Sequence, residues 1–253
     1  MNVRFEHICV SYRKNSVLED VSFSVPQGSV TALIGRNGAG KTTLLRCLTG
    51  EKGDYRGIIT LNGKDVRGFD HRQRATAIAC LPQELPKPRV TVRELVGFGR
   101  TPYTPLTGAF CPKDTAAVEK AMADTGITHL AEAMVDTLSG GERKKAFFAM
   151  VLAQDTPVVV LDEPTAHLDG VSRFEFLELV GRICRETGKT FLLVMHYLTD
   201  VLRFAEQIIA IHDHQVAFAG TPEACLEKKI PQSCFGIAIS GSRETGFAAT
   251  PVK

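Results

Sequence analysis

A glycine-rich turn between two apolar segments constrains the fold of this chain more than any other feature. Residues Gly35 to Thr42, read as GRNGAGKT, match the pattern G-x-x-x-x-G-K-[S/T]. The turn follows the apolar run VTALIG and precedes TTLLRCL, a helical pattern that ends at Gly50. Glycines allow backbone N–H groups to surround an anion at the positive end of a helix dipole. The sequence therefore predicts a strand, a phosphate-binding turn and a helix within an α/β domain.

The same turn supplies candidate nucleotide contacts. Lys41 would place a point charge between the β- and γ-phosphates, and Thr42 would offer its hydroxyl to Mg²⁺. The alternative is an ordinary glycine-rich turn with an incidental lysine. The strand and helix predicted on either side of the turn favour the phosphate-binding interpretation. The candidate binding residues of this turn are Gly35, Arg36, Asn37, Gly38, Ala39, Gly40, Lys41, Thr42 and Thr43.

Composition bounds the class of protein. A chain of 253 residues is long enough for one large α/β domain, and a net charge of +2 gives no global field typical of a nucleic-acid binder. The seven cysteines are odd in number and form no close pair, which favours a reducing cytosol. Apolar runs such as FLLVM are far shorter than the about 18 residues of a spanning helix. We expect a soluble chain inside the cell that reaches a membrane only by docking on a spanning protein.

The order of apolar patterns predicts the organisation of the chain. VSFSV alternates with period two, which indicates a half-buried strand, whereas TPVVVLDEP and KTFLLVMH resemble strands buried on both faces of a parallel sheet. The segment between the last two predicts a crossover helix closed by Gly188. Helical patterns dominate from about Glu84 to Gln154, and Thr91 and Glu94 have the spacing of a capping box. The final residues predict two short strands around a polar turn.

Two carboxylates, Asp162 and Glu163, follow the run VVVL directly. Taken alone they fit an ordinary strand end with acidic side chains in solvent. With a phosphate-binding turn upstream, we interpret Asp162 as a holder of Mg²⁺ through its ligand shell and Glu163 as the group that orients and polarises the attacking water.

The stretch LSGGERKK predicts a second helix start, because Ser139 and Glu142 form another capping box. Gly140 and Gly141 remove side chains from this helix end, which leaves bare N–H groups, a hydroxyl and the positive dipole facing outward. We interpret it as a second anion site, and the basic run RKK as a solvated face.

With two phosphate-binding helix ends in one sequence, the chain resembles the ATP-binding subunit of an ABC transporter. In that family two chains join head to tail, and each ATP lies between one chain's phosphate loop and the other's signature. The motifs occur in family order over nearly the whole chain: Tyr12, the phosphate loop, Gln83 in LPQE, the signature, Asp162 with Glu163, Asp169 in HLD, and His196 after FLLVM.

The resemblance implies a role for each matched residue. Glu163, His196 and Gln83 would be catalytic, and Thr42, Gln83 and Asp162 would surround Mg²⁺. ATP would contact the phosphate loop, Tyr12 through adenine stacking, and a set from the signature and HLD segments: Ser139, Gly140, Gly141 and Asp169. Each looser match also has a plain alternative, since Tyr12 fits a surface strand aromatic, Gln83 a loop amide, Asp169 a turn or cap, and His196 a satisfied strand-end histidine.

The resemblance further implies an α/β fold with a RecA-like P-loop nucleotide-binding core, an N-terminal antiparallel β subdomain and a helical insert. Residues 1–253 would form a single ABC ATPase domain. Its core would comprise residues 1–83 and 155–225, its helical signature subdomain residues 84–154, and its C-terminal tail residues 226–253.

The stretch from Gln83 to Pro105 and the tail ending in TGFAATPVK are similar to subunits that serve ferric-siderophore, haem and vitamin B12 importers. This similarity implies a homodimer on the cytoplasmic face of the membrane, peripheral to separate polytopic permease subunits. It implies an indirect partnership with a periplasmic or extracellular substrate-binding protein, and no nucleic acid. A ferric siderophore or related iron chelate is the expected cargo; haem, vitamin B12, or a soluble ABC ATPase of the iron–sulfur assembly type are alternatives.

Two further expectations concern local structure. We expect residues 83–103 to line the contact with the permease, with Val96 and Arg100 at its surface. Asp213 and His214 occupy a position where an Asp-Gly hairpin turn is typical, so we expect backbone strain there.

Overall fold

A computed structural model describes residues 1–13, 15–104 and 110–252. Two positions used for the subfamily prediction, Pro105 and Lys253, therefore lie outside the described residues. The strands are β1 Val3–Tyr12, β2 Asn15–Val25, β3 Val30–Gly35, β4 Arg56–Leu61, β5 Lys64–Asp65, β6 Ile78–Leu81, β7 Val158–Asp162, β8 Thr190–Val194, β9 Gln207–His212, β10 Gln215–Gly220, β11 Ile237–Ser242 and β12 Gly246–Pro251.

The α-helices connect these strands and build the insert. They are α1 Lys41–Thr49, α2 His71–Ala77, α3 Val92–Phe98, α4 Pro112–Asp124, α5 Gly140–Ala153, α6 Gly170–Thr187, α7 Leu198–Phe204, α8 Pro222–Glu227 and α9 Ile230–Phe235.

A six-stranded sheet with the order β10-β9-β3-β8-β7-β6 forms the centre of the fold. Within this sheet, neighbouring strands from β9 to β6 pair in parallel, and β10 pairs antiparallel with β9 at one edge. Every residue of β3, β7 and β8 is buried, which explains their continuous apolar runs. Parallel pairing aligns the carboxyl ends of β3, β7 and β8, where the candidate site residues follow.

Two hydrophobic cores cover the two faces of this sheet, because successive strand side chains point in opposite directions. Val159 and Leu161 pack with the helices of the insert, whereas Val158 and Val160 pack with α1 and the antiparallel sheet β2-β1-β4-β5. The RecA-like α/β core, the antiparallel β layer and the helical insert of the predicted fold class are therefore present. The predicted subdomain limits stay a prediction, and the limit at 226 falls within α8.

The local predictions about helix ends are confirmed. Thr91 and Ser139 each accept a bond from the backbone three residues on and form reciprocal capping boxes. Helices α1 and α6 end at Gly50 and Gly188, both with left-handed backbone. The closing strands β11 and β12 pair antiparallel as expected.

Three expectations about exposure are wrong. Val96 is fully buried, because the apolar face of α3 packs against α4 and α5. Arg100 is only 8% exposed, since its guanidinium bonds Asp114 Oδ1 at 2.9 Å and the carbonyl of Ala153 at 2.8 Å. Lys144, assigned with its neighbours to a solvated face, is only 5% exposed. It lies on the side of α5 that faces the rest of the domain.

The turn between β9 and β10 is left-handed at both Asp213 and His214, with φ of 46° and 67°. A two-residue hairpin turn of this type needs positive φ at both positions, and non-glycine residues adopt it at a cost in free energy. Contacts with β2 hold the turn in place, since Glu19 N donates to the carbonyl of His214 at 2.8 Å.

Candidate functional site

A cleft of about 580 Å³ lies at the carboxyl end of β3 and collects residues from distant parts of the chain. We call it the main cleft. The predicted site residues that line it are Tyr12, Asn37, Gly38, Ala39, Gly40, Lys41, Thr42, Thr43, Gln83, Glu163 and His196, together with Val17. Sequence positions separated by more than 180 residues thus surround one space.

The backbone of the phosphate-binding turn requires glycine at specific positions. Gly38 and Gly40 have φ of 82° and 91°, in the left-handed region. A Cβ at Gly40 would lie 2.6 Å from Leu18 Cδ2, and one at Gly35 would lie 2.7 Å from the carbonyl oxygen of Ile211. The turn is therefore a narrow cradle of backbone before the first turn of α1, as binding of a phosphate chain requires.

Lys41 lies over this cradle with 6% of its surface exposed. Its ammonium donates to the carbonyl oxygens of Gly35 at 2.8 Å and Arg36 at 3.1 Å. Burial lowers the pKa of Lys41, while the charges of Glu163 and Asp162 act in the opposite direction. A buried cation beside bare N–H groups is suited to an anionic ligand.

The predicted metal residues meet beside the main cleft. Thr42 Oγ1 donates to Asp162 Oδ1 at 3.4 Å, and Thr42, Asp162 and Gln83 line an adjoining cavity of about 370 Å³. Burial raises the pKa of Asp162, which the bond from Thr42 partly offsets. A hydroxyl, an amide and a carboxylate are oxygen donors of the kind that Mg²⁺ takes beside phosphates, so the residues present fit that ion.

Both carboxylate oxygens of Glu163 are held by predicted site residues. Gln83 Nε2 donates to Oε2 at 2.8 Å, and His196 Nε2 lies 2.5 Å from Oε1. Glu163 has a left-handed φ of 48°, and its carbonyl accepts from Ala166 N at 3.0 Å. This tight turn after β7 directs the side chain toward the main cleft, and such backbone strain is typical of functional positions.

Tyr12, at the end of β1, also lines the main cleft. Its ring is partly exposed, and Lys52 Nζ lies 4.9 Å from the ring centroid. An exposed aromatic face with a neighbouring cation can stack on a nucleotide base. Lys52 and Val17 carry no motif of their own, so sequence reasoning had no signal by which to find them.

The signature residues do not line the main cleft. Gly141 lies beside Ser172, whose hydroxyl donates to Asp169 Oδ2 at 2.7 Å. Asp169 also caps α6 by accepting from the backbone of Val171 and Ser172. Ser139, Gly140, Gly141 and Asp169 therefore form a second group, and one chain does not bring this group to its own phosphate-binding turn.

Comparison with known proteins agrees with this geometry. The family model for the ABC transporter matches residues 18–166. The ferric enterobactin transport ATP-binding protein FepC of Escherichia coli (strain K12) is 39% identical over 236 residues, covering 93% of this chain and 87% of that protein. The iron(3+)-hydroxamate import ATP-binding protein FhuC of Bacillus subtilis (strain 168) is 35% identical, covering 92% of this chain and 87% of that protein.

Solved structures support the fold. An ABC transporter described as of the metal-chelate type, in an inward-facing conformation, matches with a TM-score of 0.84 at 22% identity, covering 99% of this chain and 97% of that chain. The chain belongs to the ABC transporter family. It is an ATP-binding ATPase subunit, which agrees with the phosphate-binding turn and the carboxylate pair beside it.

Proposed function

We propose that this chain hydrolyses ATP to power uptake of a ferric siderophore or related iron chelate through separate membrane subunits. The observation that carries the proposal is identity of 35–39% over nine-tenths of the chain to FepC and FhuC, whose names assign them to ferric enterobactin transport and iron(3+)-hydroxamate import. The cargo never needs to touch this subunit. The class of cargo is therefore inferred from the relatives, whereas the energy source is inferred from the nucleotide site.

In the hydrolysis step, the phosphate-binding turn and Lys41 would hold the β- and γ-phosphates. Thr42, Asp162 and Gln83 would hold Mg²⁺, which would supply positive charge to offset that of the phosphates. Glu163 would accept a proton from the attacking water. The bonds from Gln83 and His196 fix the direction of its carboxylate. The side chains of Gln83 and His196 would also steady the attacking water and the γ-phosphate.

The separate signature group supports a head-to-tail homodimer. The α5 start at Ser139 offers a hydroxyl and the positive end of a helix dipole, which is suited to a phosphate. Because this group lies outside its own chain's main cleft, the second copy would supply it to the nucleotide of the first. Each of the two composite sites would then contain one phosphate-binding turn and one signature.

A surface on the helical insert supports a membrane partner. An apolar groove of about 710 Å³ is lined by side chains of α3 and α4, with Phe98 53% exposed and Phe110 48% exposed. This groove replaces the surface at Val96 and Arg100 that sequence reasoning expected. A helix from a permease would bury these rings, and closure of the dimer around ATP would move the groove with α5.

Within the part of the chain that the structure describes, no helix has the length and apolar character needed to cross a membrane. The proposed location is the cytoplasmic face of the membrane, beneath the permease subunits. A periplasmic or extracellular binding protein would deliver cargo to the permease from the opposite side and influence this chain indirectly.

Two measurements test this function. Deletion of the chain should abolish uptake of a labelled ferric siderophore, and loss of haem or vitamin B12 uptake instead would assign a different cargo. Phe98→Glu should abolish uptake and recovery of the permease from solubilised membranes while the purified chain still hydrolyses ATP. Ile58→Glu, which changes another exposed apolar residue, on the antiparallel sheet, is the control and should leave both intact. Recovery of soluble partners alone would favour the iron–sulfur assembly class.

A further inference from the structure

A smaller cavity of about 320 Å³ adjoins the main cleft; we call it the side cavity. Gln83 lines both spaces and donates to Glu163 between them. The volume is about ten times the roughly 30 Å³ that one water occupies in the liquid, enough for a small hydrated anion. The lining residues are Gln83, Glu84, Leu85, Gly140, Arg143, Lys144, Ala166, His167 and Leu168.

Lys144 is the unusual member of this lining. It is 95% buried, and among the described residues its ammonium has no hydrogen bond and no ion pair. Burial lowers the pKa of Lys144, the neighbouring Arg143 charge adds to that effect, and Glu163 opposes it. A partly desolvated cation on a cavity wall favours a ligand that supplies negative charge at this position.

Two further features make the side cavity attractive to an anion. Arg143 Nε is buried and unpartnered among the described residues. Gly140, at the start of the 14-residue helix α5, also lines the side cavity and places no side chain in it. The opposing charge comes from Glu84, which is exposed and therefore screened by solvent, and His167 is also exposed.

We propose that the side cavity binds inorganic phosphate after ATP hydrolysis, with Lys144 as its principal ligand, before the phosphate leaves the protein. The proposal rests on the ATPase function above. Hydrolysis breaks the bond between the γ-phosphorus and the bridging oxygen, a water oxygen joins the phosphorus, and ADP, phosphate and a proton are released. The phosphate would form beside Glu163, and Gln83, which lines both spaces, would move aside to let it reach Lys144.

Equilibrium dialysis of the full chain against labelled inorganic phosphate tests the site directly. Saturating MgADP fills the β-phosphate position of the phosphate-binding turn but leaves the γ-phosphate position open, so the dependence on Lys144 is what assigns bound phosphate to the side cavity. The wild-type chain should bind one phosphate, and Lys144→Met should weaken that binding at least about tenfold because a charge-assisted hydrogen bond is lost. Lys144→Arg, which keeps the charge, should retain most of the affinity.

Lys145→Met is the matched control. Lys145 is the next residue on α5, but it is partly exposed and pairs with Glu175 at 3.1 Å, so its loss should leave phosphate affinity unchanged. Equal weakening by both methionine variants would indicate a general charge effect and overturn the proposal. Wild-type affinity in Lys144→Met, or no phosphate binding by the wild-type chain, would also overturn it.

Two measurements separate this inference from other failures. Lys144→Met should leave the melting temperature close to that of the wild type, because no hydrogen bond or ion pair of the described residues is lost, and this excludes unfolding as the cause of lost binding. ATP hydrolysis by the wild-type chain is measured in the same preparation. If the wild-type chain hydrolyses ATP but its phosphate binding does not depend on Lys144, only the side-cavity site is refuted. If the wild-type chain does not hydrolyse ATP, the ATPase function is refuted as well.

Discussion

Replacement of Glu163 by glutamine tests the proposed hydrolytic site most directly. The carboxylate accepts from Gln83 and contacts His196, one partner on each oxygen. A glutamine amide keeps an acceptor oxygen and adds an N–H donor in place of the second oxygen, so the side chain still fits but no base remains to take the proton from water. A positioned general base contributes about 100- to 10,000-fold. We therefore expect the rate to fall by that factor, which is roughly 3 to 5.5 kcal/mol in activation free energy.

ATP binding should survive the change. Within the described residues, Glu163 makes no hydrogen bond to the phosphate-binding turn, and its removal takes a negative charge away from the γ-phosphate position. The variant should then accumulate as an ATP-bound dimer, which size-exclusion chromatography with MgATP would detect. Phosphate release gives the rate, and a nucleotide titration gives the affinity.

Glu175→Gln is the matched control for this experiment. It makes the same chemical change on α6 at a surface ion pair with Lys145, and surface pairs contribute only about 0–1 kcal/mol. The control should hydrolyse ATP at the wild-type rate. A Glu163→Gln rate within tenfold of wild type would refute the assignment of Glu163 as the base.

Three more predictions follow from the same geometry. Lys41→Ala and Ser139→Ala should each lose hydrolysis, and mixing them should restore part of it, since one composite site in a mixed dimer carries neither lesion; demonstrated mixed dimers without recovery would contradict the head-to-tail arrangement. Gly40→Ala should lower the free energy of unfolding by more than the about 1–2 kcal/mol of left-handed backbone strain, because its Cβ would meet Leu18, whereas Gly38→Ala, with open space, should cost only the strain. The raised pKa of Asp162 means that its proton competes with Mg²⁺ at higher pH than for an ordinary aspartate. The Mg²⁺ concentration for half-maximal hydrolysis should therefore rise as the pH falls toward the pKa of Asp162, from a higher pH than an ordinary aspartate would give, and a titration with no such rise would contradict it.

The sequence alone determined the features that depend on near neighbours. Capping boxes at Thr91 and Ser139 join residues three apart, and the left-handed ends at Gly50 and Gly188 depend on one residue each. The phosphate-binding turn combines glycine backbone with the first turn of a helix, all within eight residues. These structures are local in their hydrogen bonding, so residue type and spacing suffice to predict them.

Only the tertiary structure decided which distant groups meet and which charges are buried. The order of the central sheet places β7 between β6 and β8, and thereby brings Gln83 and His196 to the two oxygens of Glu163. Arg100 and Lys144 carry side chains that are mostly exposed in proteins, which is why sequence reasoning placed them at the surface. Arg100 is buried where α3, α4 and α5 pack together, and Lys144 is buried beside residues 83–85 and 166–168. The free energy of that packing is a sum over contacts between remote segments, which no local pattern in the chain encodes.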